Sequence, residues 1–229
     1  MSAPKLALIV PAAGSGVRLG KSTPKPYLQI AGKAILEHTL QRFVDLEGLS
    51  EVYVSTSSEY LEESDKILEK LFPLIKHGAV LGGKERQHSI MNALNNVSPD
   101  IELVAIHDAV RPFIENDLIQ KCIAKARDTG AAIIAIKAKD TIKISDSEHV
   151  IKETPDRKNL WQAQTPQIFE HEVIRKAYEI ARRENFLGTD DSSLVEHSGR
   201  KVTLVEGNRE NFKITFPIDL KLAEWLIEK

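Results

Sequence analysis

One cysteine in 229 residues, Cys122, leaves no partner for an intramolecular disulfide and excludes a zinc site built from cysteines alone. The seven histidines are scattered, with no pair at metal-ligand spacing, so they read as structural or solvated residues. There is no basic excess: 31 Lys and Arg against 33 Asp and Glu give a formal charge of −2, which argues against broad nucleic-acid binding. An anionic ligand must therefore find a local cluster of cations. Long apolar runs are also missing, and Met1 to Lys5 leads straight into a short apolar strand. A soluble cytoplasmic protein with no membrane partner is expected. Repeats, low-complexity tracts and flexible linkers are absent as well.

The chain is long enough to bury a full core without staples, so a single domain over 1–229 is expected. Apolar runs at 6–10, 52–54, 75–80, 103–106 and 131–136 read as strands. Between them, helical spacing appears at 35–43, 61–71, 86–94 and 118–126. A helix near 171–184, a strand at 202–205 and a helix opened by Pro217 complete the pattern. Alternation of this kind predicts an α/β, Rossmann-like fold: a mostly parallel twisted sheet with helices on both faces. Ligands on such sheets sit beyond the carboxyl ends of the strands. Around 137–160 the character changes, and polar–apolar alternation over 139–144 and 150–154 predicts a protruding β-hairpin arm. Such a hairpin cannot bury both faces alone, so a partner chain is expected against it.

After the first strand comes Pro11-Ala12-Ala13-Gly14-Ser15-Gly16-Val17-Arg18-Leu19-Gly20-Lys21-Ser22-Thr23-Pro24-Lys25. Small residues let backbone N–H groups approach a polyphosphate, while Arg18, Lys21 and Lys25 bring positive charge. Two rival loops fail by one residue each. The dinucleotide fingerprint wants glycine where Leu19 stands, and the P-loop wants glycine at Ser15. Pro24 and Pro26 would also break the helix that a P-loop lysine opens.

Five later segments occur in order: Gly82 to Ser89, His107 to Phe113, Asp156 to Gln167, Thr189 to Asp191, and Glu206 to Thr215. With the first loop they resemble the sugar-phosphate nucleotidyltransferases, and among these the 2-C-methyl-D-erythritol 4-phosphate cytidylyltransferase family, over nearly the whole chain. The resemblance implies transfer of a cytidylyl group from CTP to methylerythritol phosphate, with magnesium or another divalent cation, in non-mevalonate isoprenoid synthesis. It implies that Arg18 and Lys25 stabilise charge at the α-phosphate. Arg157 and Lys213 would orient the acceptor. Ala12, Ala13, Gly14, Gly16, Gly82, Gly83 and Ser89 would hold CTP, with Asp108, Thr141, Thr165 and Thr189 near the nucleotide and sugar phosphate. No dedicated protein metal site is implied, since magnesium would sit mainly on phosphate oxygens. It further implies a homodimer in which the arm, carrying Thr141 and Arg157, reaches the neighbouring site.

Ribitol-5-phosphate cytidylyltransferases share the first loop, the His-Asp-x-x-Arg-Pro turn and Gln-Thr-Pro-Gln, and stand as the alternative acceptor class. Asp156 to Trp161 leans toward methylerythritol phosphate; Val17 and Val110 are small departures from the family pattern. A nucleotide sensor that kept the fold without the chemistry is the alternative of a different class. Against these functional readings stand structural ones. Arg111-Pro112 reads as a turn with an ion pair, Cys122 as a small core residue, and Trp161 and Trp225 as packing anchors.

Overall fold

The computed structural model describes residues 3–14 and 23–228. Arg18 and Gly16, together with Lys21, lie outside the described residues.

The first strand, β1 (Leu6–Pro11), explains the architecture. Leu6, Leu8 and Val10 join one buried cluster, while Ala7 and Ile9 join another. Alternate side chains of a strand point to opposite faces, so an unbroken apolar run is what a sheet covered on both sides requires. Two short strands, β2 (Gln29–Ile30) and β3 (Lys33–Ala34), form a small ribbon leading into α1 (Ile35–Gln41). Then come β4 (Leu49–Thr56), α2 (Leu61–Leu71), β5 (Lys76–Leu81), α3 (Arg86–Leu94), β6 (Leu103–Ile106), α4 (Asn116–Thr129) and β7 (Ala131–Lys137). The second half adds β8 (Ile144–Ser145), β9 (Ile151–Glu153), β10 (Trp161–Glu170), α5 (His171–Arg183), α6 (Asp191–His197), β11 (Thr203–Glu206) and α7 (Pro217–Ile227).

The main sheet has seven strands in the order β11-β7-β10-β6-β1-β4-β5. Every neighbouring pair is parallel except those made by β10, which runs antiparallel to both β6 and β7. The expected mostly parallel sheet is therefore present, with one reversed strand that periodicity did not reveal. Leu36, Leu40, Ile67, Leu68, Leu118, Cys122 and Ala126 from α1, α2 and α4 pack on one face. Ile90, Leu94, Ile174, Tyr178, Leu194 and Val195 from α3, α5 and α6 pack on the other. A third, smaller cluster gathers Leu28, Ile30, Ile35, Val110 and Ile214 against Ala223 of α7. Each fully buried Leu or Ile contributes about 1.5–3 kcal/mol relative to exposure, which makes these layers the main source of stability.

Cys122 is fully buried among Ile119, Ile123 and Ala126, as expected of a core thiol. Trp225 departs from expectation. It is 53 % exposed on α7, a helix whose Ile218 and Leu222 are also exposed, and so is no interior anchor. The arm is an exposed two-stranded hairpin in which Ile144 pairs with Glu153 and Ser145 with Ile151. Its ladder is shorter than the alternation over 139–154 suggests, because the strand begins only at Ile144. No described helix is long and apolar enough to cross a membrane.

Candidate active site

Three parallel strands deliver their carboxyl ends to one place. β1 runs into Ala12, Ala13 and Gly14; β5 runs into Gly82–Glu85 and α3; β6 runs into His107–Arg111. A cavity of about 540 Å³ opens there, lined by Ala12, Ala13, Gly14, Lys25, Gly83, Lys84, Glu85, Arg86, Ser89, Asp108 and Lys213. Its position beyond the strand ends is where open α/β sheets hold ligands.

The floor is set by close backbone approach. The Ala12 N–H donates to the Ser55 carbonyl at 2.7 Å, and the Gly82 N–H donates to the Thr56 carbonyl at 2.7 Å. A Cβ at Gly82 would lie 2.5 Å from that of Ala13, so only glycine lets the two loops meet. Gly82 itself therefore stands behind the wall rather than in it. Ser89 accepts from the Gly83 N–H at 3.0 Å and donates to the Glu85 carbonyl at 3.1 Å. Its hydroxyl thus fastens the loop onto the first turn of α3, whose N–H groups favour an anion nearby. Lys25 sits in a single 3-10 turn, Lys25–Tyr27, opened by Pro24, and is 92 % removed from solvent.

Asp108 is the electrostatic hub. Its carboxylate is buried and meets Lys213 Nζ at 3.0 Å, Arg111 Nε at 3.1 Å and Arg86 Nη2 at 3.6 Å. Burial alone pushes this carboxyl upward, but Lys213, Arg86 and Arg111 outweigh it and hold the group well below the ordinary carboxylate range. Asp108 is ionised at any working pH. Arg86 continues the network, donating from Nη1 to Asp191 Oδ2 at 2.8 Å, while Asp191 Oδ1 accepts from the Tyr178 hydroxyl at 2.6 Å.

A second chain of hydrogen bonds holds the loop that carries Asp108. The Asp108 N–H donates to Thr165 Oγ1 at 3.0 Å, and that hydroxyl lies 3.0 Å from His107 Nδ1. His107 Nε2 lies 3.1 Å from the Arg111 carbonyl, which can only accept, so Nε2 carries the proton and Nδ1 takes that of Thr165. Burial pushes the His107 pKa down to about 4, leaving the ring neutral, with both nitrogens engaged.

A smaller cavity of about 270 Å³ lies alongside, over β10 and β7, lined by Arg111, Ile136, Gln162, Ala163, Gln164, Arg209, Phe212 and Lys213. Lys213 lines both spaces. The loop bearing it is tied down at several points. Asn211 Nδ2 donates to the Thr165 carbonyl at 2.8 Å, and the Asn211 carbonyl accepts from Arg111 Nη1 at 2.7 Å. The loop begins at Gly207, where a Cβ would come within 2.4 Å of Ile134 Cγ2, so glycine is needed for it to lie back on the sheet.

The structure thus brings together Ala12, Ala13, Gly14, Lys25, Gly83, Ser89, Asp108 and Lys213, with Gly82 and Thr165 directly behind them. Three expected site residues stand elsewhere within one chain. Thr141 is exposed on the arm, Thr189 is exposed just before the N-cap of α6, and Arg157 lies at the arm's base, donating to the Lys139 carbonyl at 3.2 Å. None of the three lines either cavity. Arg86 and Arg111 were not assigned to the site from the sequence. Both lay inside motifs already noted, and Arg111 does make the expected ion pair, but with Asp108 at the cavity wall.

The family model described as 2-C-methyl-D-erythritol 4-phosphate cytidylyltransferase matches residues 6–229. A relative of that name from Caldanaerobacter subterraneus subsp. tengcongensis is 45% identical over 222 residues, covering 96% of this chain and 98% of the relative. The solved 4-diphosphocytidyl-2C-methyl-D-erythritol synthase from Anaerococcus prevotii superposes with a TM-score of 0.88 at 33% identity, covering 99% of this chain and 97% of that one. The solved 2-C-methyl-D-erythritol 4-phosphate cytidylyltransferase from Thermus thermophilus gives 0.79 at 32% identity, with complete coverage of both chains (100% and 100%). The chain belongs to the 2-C-methyl-D-erythritol 4-phosphate cytidylyltransferase family.

Proposed function

We propose that this chain transfers a cytidylyl group from CTP to 2-C-methyl-D-erythritol 4-phosphate, giving 4-diphosphocytidyl-2-C-methyl-D-erythritol and pyrophosphate for isoprenoid precursors. The observation that carries this reading is the shared wall. One ammonium, that of Lys213, lines both a larger cavity with a small-residue floor and a smaller one rich in cations. A triphosphate in the first and a phosphate monoester in the second would meet across it.

In the proposed reaction an oxygen of the acceptor phosphate attacks the α-phosphorus of CTP. The bond to the β-phosphate breaks, and pyrophosphate leaves with the electron pair. The attacking oxygen is already ionised, so no general base is required, in keeping with a neutral His107 whose ring nitrogens are both bonded. The barrier is the approach of two anions, which preorganised cations lower. Lys25 and Arg18 are assigned to charge at the α-phosphate. Ala12, Ala13, Gly14, Gly16, Gly82, Gly83 and Ser89 are assigned to the nucleotide cradle. Lys213 and Arg157 are assigned to the acceptor, with Asp108, Thr141, Thr165 and Thr189 around them.

Among the described residues no three His, Cys, Asp or Glu side chains converge as a metal cage. The donor chemistry fits magnesium held mainly by phosphate oxygens: among the described residues only two carboxylates, Glu85 and Asp108, line the larger cavity, and Asp108 is already balanced by cations. When bound, the ion supplies charge neutralisation of the triphosphate and of the leaving pyrophosphate. The exposed Ile142, Ile144, Val150 and Ile151 of the arm support a homodimer in which Thr141 and Arg157 serve the neighbouring site. A cytoplasmic location agrees with the buried lone thiol and with substrates that are small charged metabolites. Nucleic acid and membrane are not proposed partners.

The test is pyrophosphate release with CTP or UTP, each paired with methylerythritol phosphate or ribitol phosphate. Release chiefly with CTP and methylerythritol phosphate is expected. Preference for ribitol phosphate would overturn the acceptor, and silence with every pair would overturn the transferase.

A further inference from the structure

Arg111 and Lys213 of the smaller cavity are already committed: Arg111 to Asp108 and the Asn211 carbonyl, Lys213 to Asp108. Arg209 differs. It lines the same cavity, is exposed, and among the described residues makes neither a hydrogen bond nor an ion pair. Among the described residues its charge is therefore the one in that cavity without a counterion.

We propose that Arg209 is a further anchor for the acceptor's phosphate, gripping its non-attacking oxygens beside Lys213 and so setting how well the acceptor binds. This rests on the cytidylyltransferase reading above.

Three observations support the assignment. The backbone on either side of Arg209 is fixed, so the side chain springs from a rigid base. The Asn208 carbonyl accepts from Gln164 Nε2 at 2.9 Å, and Asn208 Oδ1 accepts from the Asn211 N–H at 3.0 Å. A guanidinium presents parallel donors that match two phosphate oxygens at once, which the point charge of Lys213 cannot do. The remaining wall combines Ile136, Ala163 and Phe212 with the Gln162 amide, a mixture suited to a short carbon chain bearing hydroxyls. At about 270 Å³ the space suits a small phosphorylated polyol and is tight for a second nucleotide.

The experiment is steady-state kinetics of the full chain and of Arg209→Gln and Arg209→Lys, with inorganic phosphate as a competitor of the acceptor. Because Arg209 has no partner among the described residues, thermal midpoints should match the parent. For Arg209→Gln the KM for methylerythritol phosphate should rise about tenfold, as for loss of one charge-assisted contact, with kcat and the KM for CTP unchanged. Inorganic phosphate should compete with the acceptor in the parent and more weakly in Arg209→Gln. The lysine variant should fall between the two, keeping the charge but losing the fork. An unchanged acceptor KM in an active, folded Arg209→Gln would overturn the assignment and leave the transferase reading intact, as would a parallel rise in the KM for CTP. If the parent releases no pyrophosphate with any polyol phosphate, the reading and the Arg209 assignment fall together.

Discussion

Lys213 Nζ stands 3.0 Å from Asp108 Oδ2, and this contact joins the loop after β6 to the loop after β11. The carboxylate holds the ammonium at the boundary of the two cavities. Asp108 is thereby a positioning group for Lys213 as well as part of the wall of the larger cavity. Arg86 and Arg111 share the same carboxylate, so its charge is offset from three directions.

Acid should expose this dependence. The folded pKa of Asp108 is depressed, so its contribution is fully present above the unfolded value of about 4 and is lost as pH falls through the lower folded value. In urea unfolding, Asp108→Asn should lie well below the parent at neutral pH, and the gap should narrow under about pH 4. A gap that stays constant from neutral to acid would contradict the ion-pair assignment.

His107 should behave as a buried neutral base. Its folded pKa is pushed down to about 4 by burial, so the unfolded chain takes up a proton first. Stability from the neutral ring is complete above about pH 6.5 and declines as pH falls from there toward about 4. Thr165→Val removes the hydroxyl shared by His107 Nδ1 and the Asp108 N–H, and should cost about 1–3 kcal/mol in the same assay. Parent-like stability would mean that the chain of bonds does not hold this loop.

Most of the strand–helix alternation was legible because the central apolar runs, β1, β4, β6 and most of β7, are buried on both faces and helices such as α2, α4 and α5 carry one apolar stripe. β10 was not, for a physical reason. Gln164 and Gln167 are buried there, and their amides bond Asn208, Asn211, Asp190 and Ser192, residues remote in sequence. Polar side chains satisfied over such distances look like loop to any local rule. α6 escaped for a similar reason: it is seven residues long, and its signal is the cap made by Asp190 on the Ser193 N–H. In the site, the small-residue loop after β1 and the positive charge of Lys25 could be read from the residues themselves, while Gly82, Gly83 and Ser89 came only with the family resemblance. Arg86 could not, because its partner Asp191 is 105 residues away.

Lys25→Ala should lower kcat by about 10²-fold, the usual consequence of removing one preorganised donor at a developing charge. Lys25 is buried in its 3-10 turn, so thermal unfolding must be measured alongside turnover. Near-parent turnover in a folded variant would remove Lys25 from the catalytic group.

Exchange of the arm can be tested by complementation. Arg157→Ala and Lys213→Ala should each be nearly inactive alone. If Arg157 serves the neighbouring site, mixed dimers contain one intact site each, and random mixing restores about a quarter of all sites. Absence of any recovery after verified subunit exchange would place Arg157 in its own chain's site or outside the chemistry.

The division of labour across Lys213 is tested most directly by titrating CTP into Lys213→Ala by calorimetry and measuring acceptor kinetics on the same preparation. The expected result is CTP affinity close to that of the parent, with use of methylerythritol phosphate severely impaired. Loss of CTP affinity with the acceptor KM unchanged would contradict it.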